Sequence, residues 1–140
     1  MTEVVKLHFD VDGEDFTSAG QASVQVKKSL RQLGISPEII RKVSIAMYEG
    51  EINMVIHAGG GDADVLIYED HIDIVLDDTG PGIPNIDLAM QEGFSTAPDN
   101  VRSLGFGAGM GLPNMKRYTD SMQIESELGK GTRITMRVNL

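Results

Sequence analysis

The sequence predicts an α+β fold, a two-layer sandwich in which helices cover one face of a mixed, mostly antiparallel sheet. Two observations carry this prediction. Two helical segments follow the first strand in succession, so strands and helices do not alternate strictly. Two pairs of strands, over residues 65–76 and 121–139, are each joined by a short turn and indicate antiparallel hairpins. We expect the order β-α-α-β-β-loop-α-β-β in a single domain, residues 1–140.

The first half of the chain predicts a strand and two helices. Apolar residues alternate with polar ones over residues 3–11, which is typical of a strand. From Phe16 the apolar residues recur at three- and four-residue steps as far as Gly34, a common helix stop. Residues 36–38, Ser-Pro-Glu, combine an N-cap, a first-turn proline and a first-turn acid, and therefore begin the second helix. Glycines 59–61 end it.

The second half predicts two hairpins around a long connection. The stretch from Pro84 to Gly111 shows no long periodic segment, and a loop of that length in a compact domain is usually functional or mobile. We expect strands at 65–68 and 72–76, a short helix at 86–90, a helix at 110–118, and strands at 121–127 and 133–139.

Composition and charge exclude several classes of protein. The chain has 140 residues, 41% of them hydrophobic, and a net charge of −9 from 21 acidic and 12 basic residues. This charge repels phosphate backbones and anionic membranes, and we find no basic patch to offset it. There is no cysteine, no signal peptide and no apolar run of the roughly 18 residues that a membrane span needs. We expect a cytoplasmic protein that binds neither nucleic acid nor membrane.

Glu49 and Asn53 lie four residues apart on the second helix, so both side chains share one face. The pair is common and can simply face solvent. Its chemical alternative is clear, because an amide oxygen can complete a Mg²⁺ shell and a nearby carboxylate can take a proton or orient water.

The stretch LDDTGPGIP, residues 76–84, ends a strand with two aspartates, two glycines and two prolines. Such a cluster is usually a turn. It can also be a ligand loop, because Gly80 and Gly82 allow a flat molecule to approach the backbone and Asp78 can accept a hydrogen bond from an exocyclic amine. Asp77 points to the opposite face by alternation, so we expect Asp78 alone of the pair to face a ligand.

Two further glycine-rich segments follow. Residues 105–111 carry four glycines directly before a helix, where backbone N–H groups can bind phosphate. The spacing matches neither a dinucleotide fingerprint nor a P-loop, so those two nucleotide folds are disfavoured. Residues 129–132, Gly-Lys-Gly-Thr, are typical of a hairpin turn when taken alone.

In this order the motifs resemble the GHKL, or Bergerat-fold, ATPases, which include the histidine-kinase-type ATPase domains. Glu49 and Asn53 match the N box of that family, and residues 78–83 match its first glycine box. Residues 93–96 match a short box before the lid, 107–112 the second glycine box and 131–132 the last. The resemblance covers nearly the whole chain. The short length and the runs GFST and GAGMGLPNMKRYTD are most similar to the switch kinases of the general stress response.

The resemblance implies ATP or ADP and Mg²⁺ as cofactors. Asn53 is then the Mg²⁺ ligand, Glu49 the general base, and His57 lines the phosphate side. Asp78 accepts the adenine amino group, and Thr132 fixes that contact through a water molecule. The remaining nucleotide-binding residues, with a lid at about residues 93–109, are Gly80, Gly82, Ile83, Ser95, Thr96, Gly107, Ala108, Gly109, Met110, Gly111 and Leu112.

The resemblance also implies a function: a serine/threonine protein kinase that phosphorylates a STAS-domain regulator of the anti-anti-sigma type. The alternative is a nucleotide-gated anti-sigma factor or adaptor with little catalysis, and a third is a stand-alone ATPase or a degenerate ligand-binding fold. A sigma factor or a phosphatase is a further candidate partner, and a homodimer is left open. Some anti-sigma members carry an arginine just before the second glycine box. This chain has Gly107 at that place, and its nearest arginine, Arg102, lies five residues earlier, so the kinase branch is favoured over direct sigma-factor binding.

Overall fold

The computed structural model describes residues 5–12, 20–83, 86, 90 and 111–140. Its strands and helices follow the predicted order. The strands are β1 (Val5–Asp12), β2 (Gly60–Ile67), β3 (His71–Asp78), β4 (Ser121–Glu127) and β5 (Gly131–Asn139); the helices are α1 (Gln21–Gln32), α2 (Pro37–Asn53), a π-helical turn (Met54–Ala58) and α3 (Gly111–Arg117).

Helix α2 begins where its sequence signals predict, and the helical segment that continues beyond it ends at the predicted Gly59. The Ser36 hydroxyl accepts a hydrogen bond from the Ile39 N–H at 3.4 Å, and Pro37 occupies the first turn. At the other end the helix widens into the π-helical turn, and the Gly59 N–H donates to the Met54 carbonyl. Gly59 has a φ of 71°, a left-handed conformation that favours glycine. The wide turn itself was not predicted.

The sheet has five strands in the order β1-β2-β3-β5-β4. The four pairings between these strands are all antiparallel. The predicted α+β class, with helices on one face, is confirmed. The described strands contribute no parallel pair, so the sheet is antiparallel throughout this part of the chain rather than mixed.

Two strands begin earlier than their apolar patterns predict. β2 starts at Gly60, whereas the apolar pattern begins at residue 65, because residues 60–64 pair with the second half of β1. β5 starts at Gly131, opposite Glu127 of β4. Backbone pairing with a neighbouring strand extends both strands through residues whose own side chains favour a turn.

The hydrophobic core lies between the sheet and the helices. α2 is central and packs against both α1 and α3. Gly50 allows this close approach, because a Cβ atom there would overlap the Leu76 side chain of β3. None of the helices in the described part of the chain has the length and hydropathy of a membrane span. Fully buried side chains include Val26, Leu30, Val43, Met47, Val65, Ile72, Ile74, Leu76, Met115, Met136 and Val138.

The other face of the sheet is polar. On it the Arg137 guanidinium donates two hydrogen bonds to the Asp73 carboxylate, at 2.9 and 3.2 Å. His8 contacts Asp64, its direct neighbour on β2, at 2.5 Å. Because charged pairs occupy this face, the helix side alone encloses the apolar core.

Candidate functional site

The predicted N box lies where the C-terminal end of α2 meets the start of α3. The Asn114 side-chain amide donates a hydrogen bond to Glu49 Oε1 at 3.3 Å. Gly111, the first residue of α3, lies so close to Asn53 that a Cβ atom there would be 2.9 Å from Asn53 Oδ1. Glu49 and Asn53 are both half-buried. The end of the second glycine box and the N box, far apart in sequence, therefore share one surface.

Asp78 lies at the end of β3 with its carboxylate oriented by backbone groups. Its Oδ1 accepts hydrogen bonds from the Gly80 N–H at 3.0 Å and from the Thr132 N–H at 3.1 Å. Among the described residues, none donates a hydrogen bond to Oδ2. One oxygen therefore fixes the carboxylate, and the other is the candidate acceptor for a ligand. Asp77 is exposed and paired in register with Arg133, on the opposite face of the sheet.

Glycines 80 and 82 are required by close contacts on both sides of the loop. A Cβ atom on Gly80 would lie 2.7 Å from the Ala58 Cα in the π-helical turn. Gly82 has a φ of 83°, and a Cβ atom there would lie 2.6 Å from the Glu127 carbonyl oxygen. The loop is therefore wedged between the end of the α2 segment and the β4–β5 hairpin, with no room for a side chain at either position.

Hydrogen bonds tie the same loop to the β4–β5 hairpin. The Ile83 N–H donates to Ser126 Oγ at 2.7 Å, and the Gly129 N–H donates to the Pro81 carbonyl at 2.9 Å. Ser126 Oγ also lies 2.9 Å from Thr132 Oγ1. The Ile83 side chain is half-buried against the core, and Thr132 is buried.

His57 lies in the π-helical turn that follows Asn53. The residue is exposed, yet desolvation lowers the pKa of its imidazole below the usual 6.5. We infer that the ring lies at the rim of the protein, partly surrounded. A neutral ring at pH 7 can donate or accept a hydrogen bond, but it supplies no positive charge to a phosphate.

Three side chains with clear roles in this region were not predicted. Buried Glu51 accepts hydrogen bonds from three backbone N–H groups at the start of α1. Its position four residues after Met47 on the apolar face of α2 was an available signal. Ser126 lies on the same inward face of β4 as Met122 and Ile124. A hydroxyl at the third position of an otherwise apolar alternation was a second available signal. Asn114 carried no signal in the sequence.

The whole of the proposed lid, residues 93–109, lies outside the described residues. So do six of the predicted nucleotide-binding residues: Ser95, Thr96, Gly107, Ala108, Gly109 and Met110. Of the two that complete the second glycine box, Gly111 contacts the N box as above. Leu112 turns its side chain into the core, where it is 8% exposed. Any contact of Leu112 with a nucleotide would therefore come from its backbone.

Comparison with known protein families gives one clear match. Residues 38–140 match the family described as histidine kinase-, DNA gyrase B- and HSP90-like ATPase. Named relatives are anti-sigma F factors. That of Clostridium kluyveri is 34% identical over 121 residues, covering 83% of this chain and 82% of the relative. That of Clostridium perfringens is 31% identical over 143 aligned residues, covering 98% and 96%.

Solved structures with a similar fold have far lower sequence identity. The structure of the RsbU and RsbW domains of Rv1364c from Mycobacterium tuberculosis superposes with a TM-score of 0.65 at 15% identity, covering 96% of this chain and 32% of that one. The SiaB–SiaC complex from Pseudomonas aeruginosa gives a TM-score of 0.57 at 11% identity, covering 96% and 89%. At these identities the similarity concerns the fold alone.

Proposed function

This chain belongs to the GHKL family of ATPase domains, in the branch that contains the anti-sigma F factors, and from that premise we propose that it is an ATP- and Mg²⁺-dependent serine/threonine protein kinase acting on a STAS-domain regulator. Membership of the family implies ATP binding. The observation that carries the proposal is the contact between the N box and the start of α3. It places a carboxylate, an amide oxygen and the end of the second glycine box at one end of the helix layer.

The described residues fit a bound nucleotide. At the base end, Asp78 keeps one carboxylate oxygen for an exocyclic amine. Gly80 and Gly82 let the adjoining loop pack against Ala58 and the Glu127 carbonyl, where a Cβ atom would not fit. At the phosphate end, Asn53 and Glu49 supply the hard oxygen donors that Mg²⁺ prefers, and we assign Asn53 as its ligand. Mg²⁺, when bound, neutralises charge on the phosphate oxygens.

Glu49 is the proposed general base. Phosphoryl transfer depends mainly on positioning and charge neutralisation, with one proton to remove from the attacking hydroxyl. The hydroxyl oxygen of the partner forms the new bond to the γ-phosphorus, its proton passes to Glu49, and the bond to the β–γ bridging oxygen breaks to release ADP. The hydrogen bond from Asn114 orients the Glu49 carboxylate and leaves its second oxygen for the proton.

A nucleotide-gated anti-sigma factor is the second candidate, and the names of the relatives favour it. In this alternative ATP changes the surface presented by the region around residues 93–109, and the chain sequesters a sigma factor with little chemistry. The phosphatase named as a further partner would hydrolyse the phosphate from the phosphorylated STAS-domain protein in the first candidate, and has no role in the second.

The deciding experiment is transfer of labelled γ-phosphate to a purified STAS-domain protein from the same organism, in wild type, Glu49→Ala and Glu38→Ala. Glu38 is an exposed glutamate on the same helix and serves as the matched control. We expect transfer to be abolished in Glu49→Ala, with ATP affinity within about threefold of wild type. Phosphate transfer by Glu49→Ala at the wild-type level would refute the kinase assignment. A stable sigma-factor complex in an ATP pull-down, with no labelled STAS protein, would support the second candidate.

The position of adenine is tested separately with Asp78→Asn. The amide that replaces the carboxylate oxygen cannot accept from the adenine amino group in the same way, so we expect ATP affinity to fall by about tenfold or more. Affinity equal to that of wild type would show that adenine does not bind at Asp78.

A further inference from the structure

Ser126 lies at the centre of a hydrogen-bond chain that joins the loop at residues 80–83 to Asp78 and Thr132, the residues proposed to read the base. Its Oγ accepts from the Ile83 N–H at 2.7 Å and lies 2.9 Å from Thr132 Oγ1. Thr132 pairs directly with Asp78 across the sheet and donates its N–H to that carboxylate. One hydroxyl on an otherwise apolar face of β4 therefore contacts the loop and the Asp78–Thr132 pair together.

The distances favour one of two acceptors for the single proton of Ser126. Because the Ile83 N–H uses Ser126 as an acceptor, the Ser126 proton must be given to another oxygen. The Gly131 carbonyl lies 3.3 Å away, beyond the usual range of O–H···O bonds, whereas Thr132 Oγ1 at 2.9 Å lies within it. The shorter distance favours Thr132 over the Gly131 carbonyl as the acceptor of this proton, and in that arrangement Thr132 keeps its own proton to donate elsewhere.

This arrangement presents a defined pattern to a purine. Asp78 offers an acceptor, and beside it Thr132 offers a donor, directly or through one water molecule. Adenine has the complementary edge, with a donor at the 6-amino group and an acceptor at N1. Hypoxanthine and guanine have the reverse, an acceptor at the 6-oxo group and a donor at N1, and would leave polar groups unpaired.

We propose that Ser126 is a positioning residue that selects adenine, by fixing the proton direction of Thr132 and by holding the backbone of Ile83. The inference rests on the proposed placement of adenine at Asp78 and Thr132. The role of Ser126 does not depend on phosphoryl transfer. If the protein binds ATP but transfers no phosphate, the kinase proposal is refuted, and the role of Ser126 is still tested by nucleotide binding.

The test compares ATP with ITP, which differ only at the edge that this pattern reads. Calorimetry gives the dissociation constants of both nucleotides for wild type, Ser126→Ala, Ser126→Thr and Ser121→Ala. Ser121 is an exposed serine on the same strand and is the matched control. We expect Ser126→Ala to weaken the binding of ATP about tenfold and that of ITP less than about threefold. Without the Ser126 hydroxyl, the Thr132 hydroxyl can turn and accept a hydrogen bond instead of donating one. Ser126→Thr, which keeps a hydroxyl, and Ser121→Ala should keep the wild-type ratio.

A purely structural role for Ser126 predicts a different result. In that case Ser126→Ala would weaken the binding of ATP and of ITP equally. An unchanged ratio of the two dissociation constants therefore overturns the proposal. Thr132→Val provides an independent measurement, and decides the question if Ser126→Ala does not fold. If Ser126 acts through Thr132, the valine variant loses the same selectivity and the double variant loses no more. Retention of the wild-type ratio by Thr132→Val overturns the proposal as well.

Discussion

Replacing buried Glu51 with glutamine should destabilise the protein strongly, although the two side chains have nearly the same shape. Glu51 is 3% exposed and caps the start of α1 from the neighbouring helix α2. Residue Gly20, which occupies the N-cap position of α1, has no side chain with which to cap it. The carboxylate therefore supplies the acceptors that the first N–H groups of α1 need, in the place where the helix dipole favours a negative charge.

The magnitude follows from the three hydrogen bonds. Oε2 accepts from the N–H groups of Gly20 at 2.8 Å and Ala22 at 3.2 Å, and Oε1 accepts from that of Ser23 at 3.1 Å. A glutamine can place its single oxygen at the first two, which weakens each from a charged to a neutral bond at a cost of about 1 kcal/mol. Its NH₂ group then faces the Ser23 N–H, and a buried donor without a partner costs about 1–3 kcal/mol. With about 1 kcal/mol for each of the two weakened bonds and about 1–3 kcal/mol for the unpaired donor, the expected loss is about 3–5 kcal/mol.

Urea unfolding followed by circular dichroism measures this loss. Glu38→Gln on the same helix is the control, because Glu38 is exposed and its contact with Lys42 at 3.9 Å is a surface ion pair. We expect the control to lose less than about 0.5 kcal/mol. If Glu51→Gln loses less than about 1 kcal/mol, or no more than Glu38→Gln, then Glu51 is not the cap of α1 and the reasoning fails.

Two further predictions concern the loop at residues 80–83 and the polar face of the sheet. Gly82→Ala should weaken ATP binding about tenfold or more, because the new Cβ atom would meet the Glu127 carbonyl. Gly34→Ala is the control: it carries the same left-handed strain (φ 75°), but no atom lies near its new Cβ, so ATP affinity should be unchanged. Calorimetry compares them, and equal affinities would contradict the contact. The hydrogen bond to Asp64 raises the pKa of His8 above 6.5, so its stabilising contribution is complete below pH 6.5 and is lost as pH rises through the raised value. An NMR titration should show this midpoint falling in Asp64→Asn, and no change there would refute the assignment.

The sequence predicted those features whose causes lie within a few residues. The first turn of α2 follows from Ser36 and Pro37. The end of the helical segment, after the π-helical turn, follows from Gly59, which adopts the left-handed conformation expected of a glycine stop. Asp77 and Asp78 point to opposite faces because strand residues alternate. The family resemblance, confirmed by the family match, also came from local motifs in a fixed order.

Boundaries that depend on pairing between distant segments were predicted less well. Residues 60–64 have few of the side chains that favour a strand, yet they continue β2 because β1 supplies a partner for each. The π-helical turn after Asn53 was likewise missed, since the spacing of apolar residues does not distinguish it from α-helix.

The sequence alone therefore determined the class of fold, the family and the motifs, because each is written in short segments of residues with a local conformational preference. Only the tertiary structure decided which groups within those motifs meet. The contact of Gly111 with Asn53, the cap that Glu51 provides to α1, and the hydrogen bond that the Ile83 N–H donates to Ser126 each join residues about 30 to 60 positions apart. Each depends on distances of about 3 Å set by packing of the helix layer on the sheet, and no periodicity or spacing along the chain records such a distance.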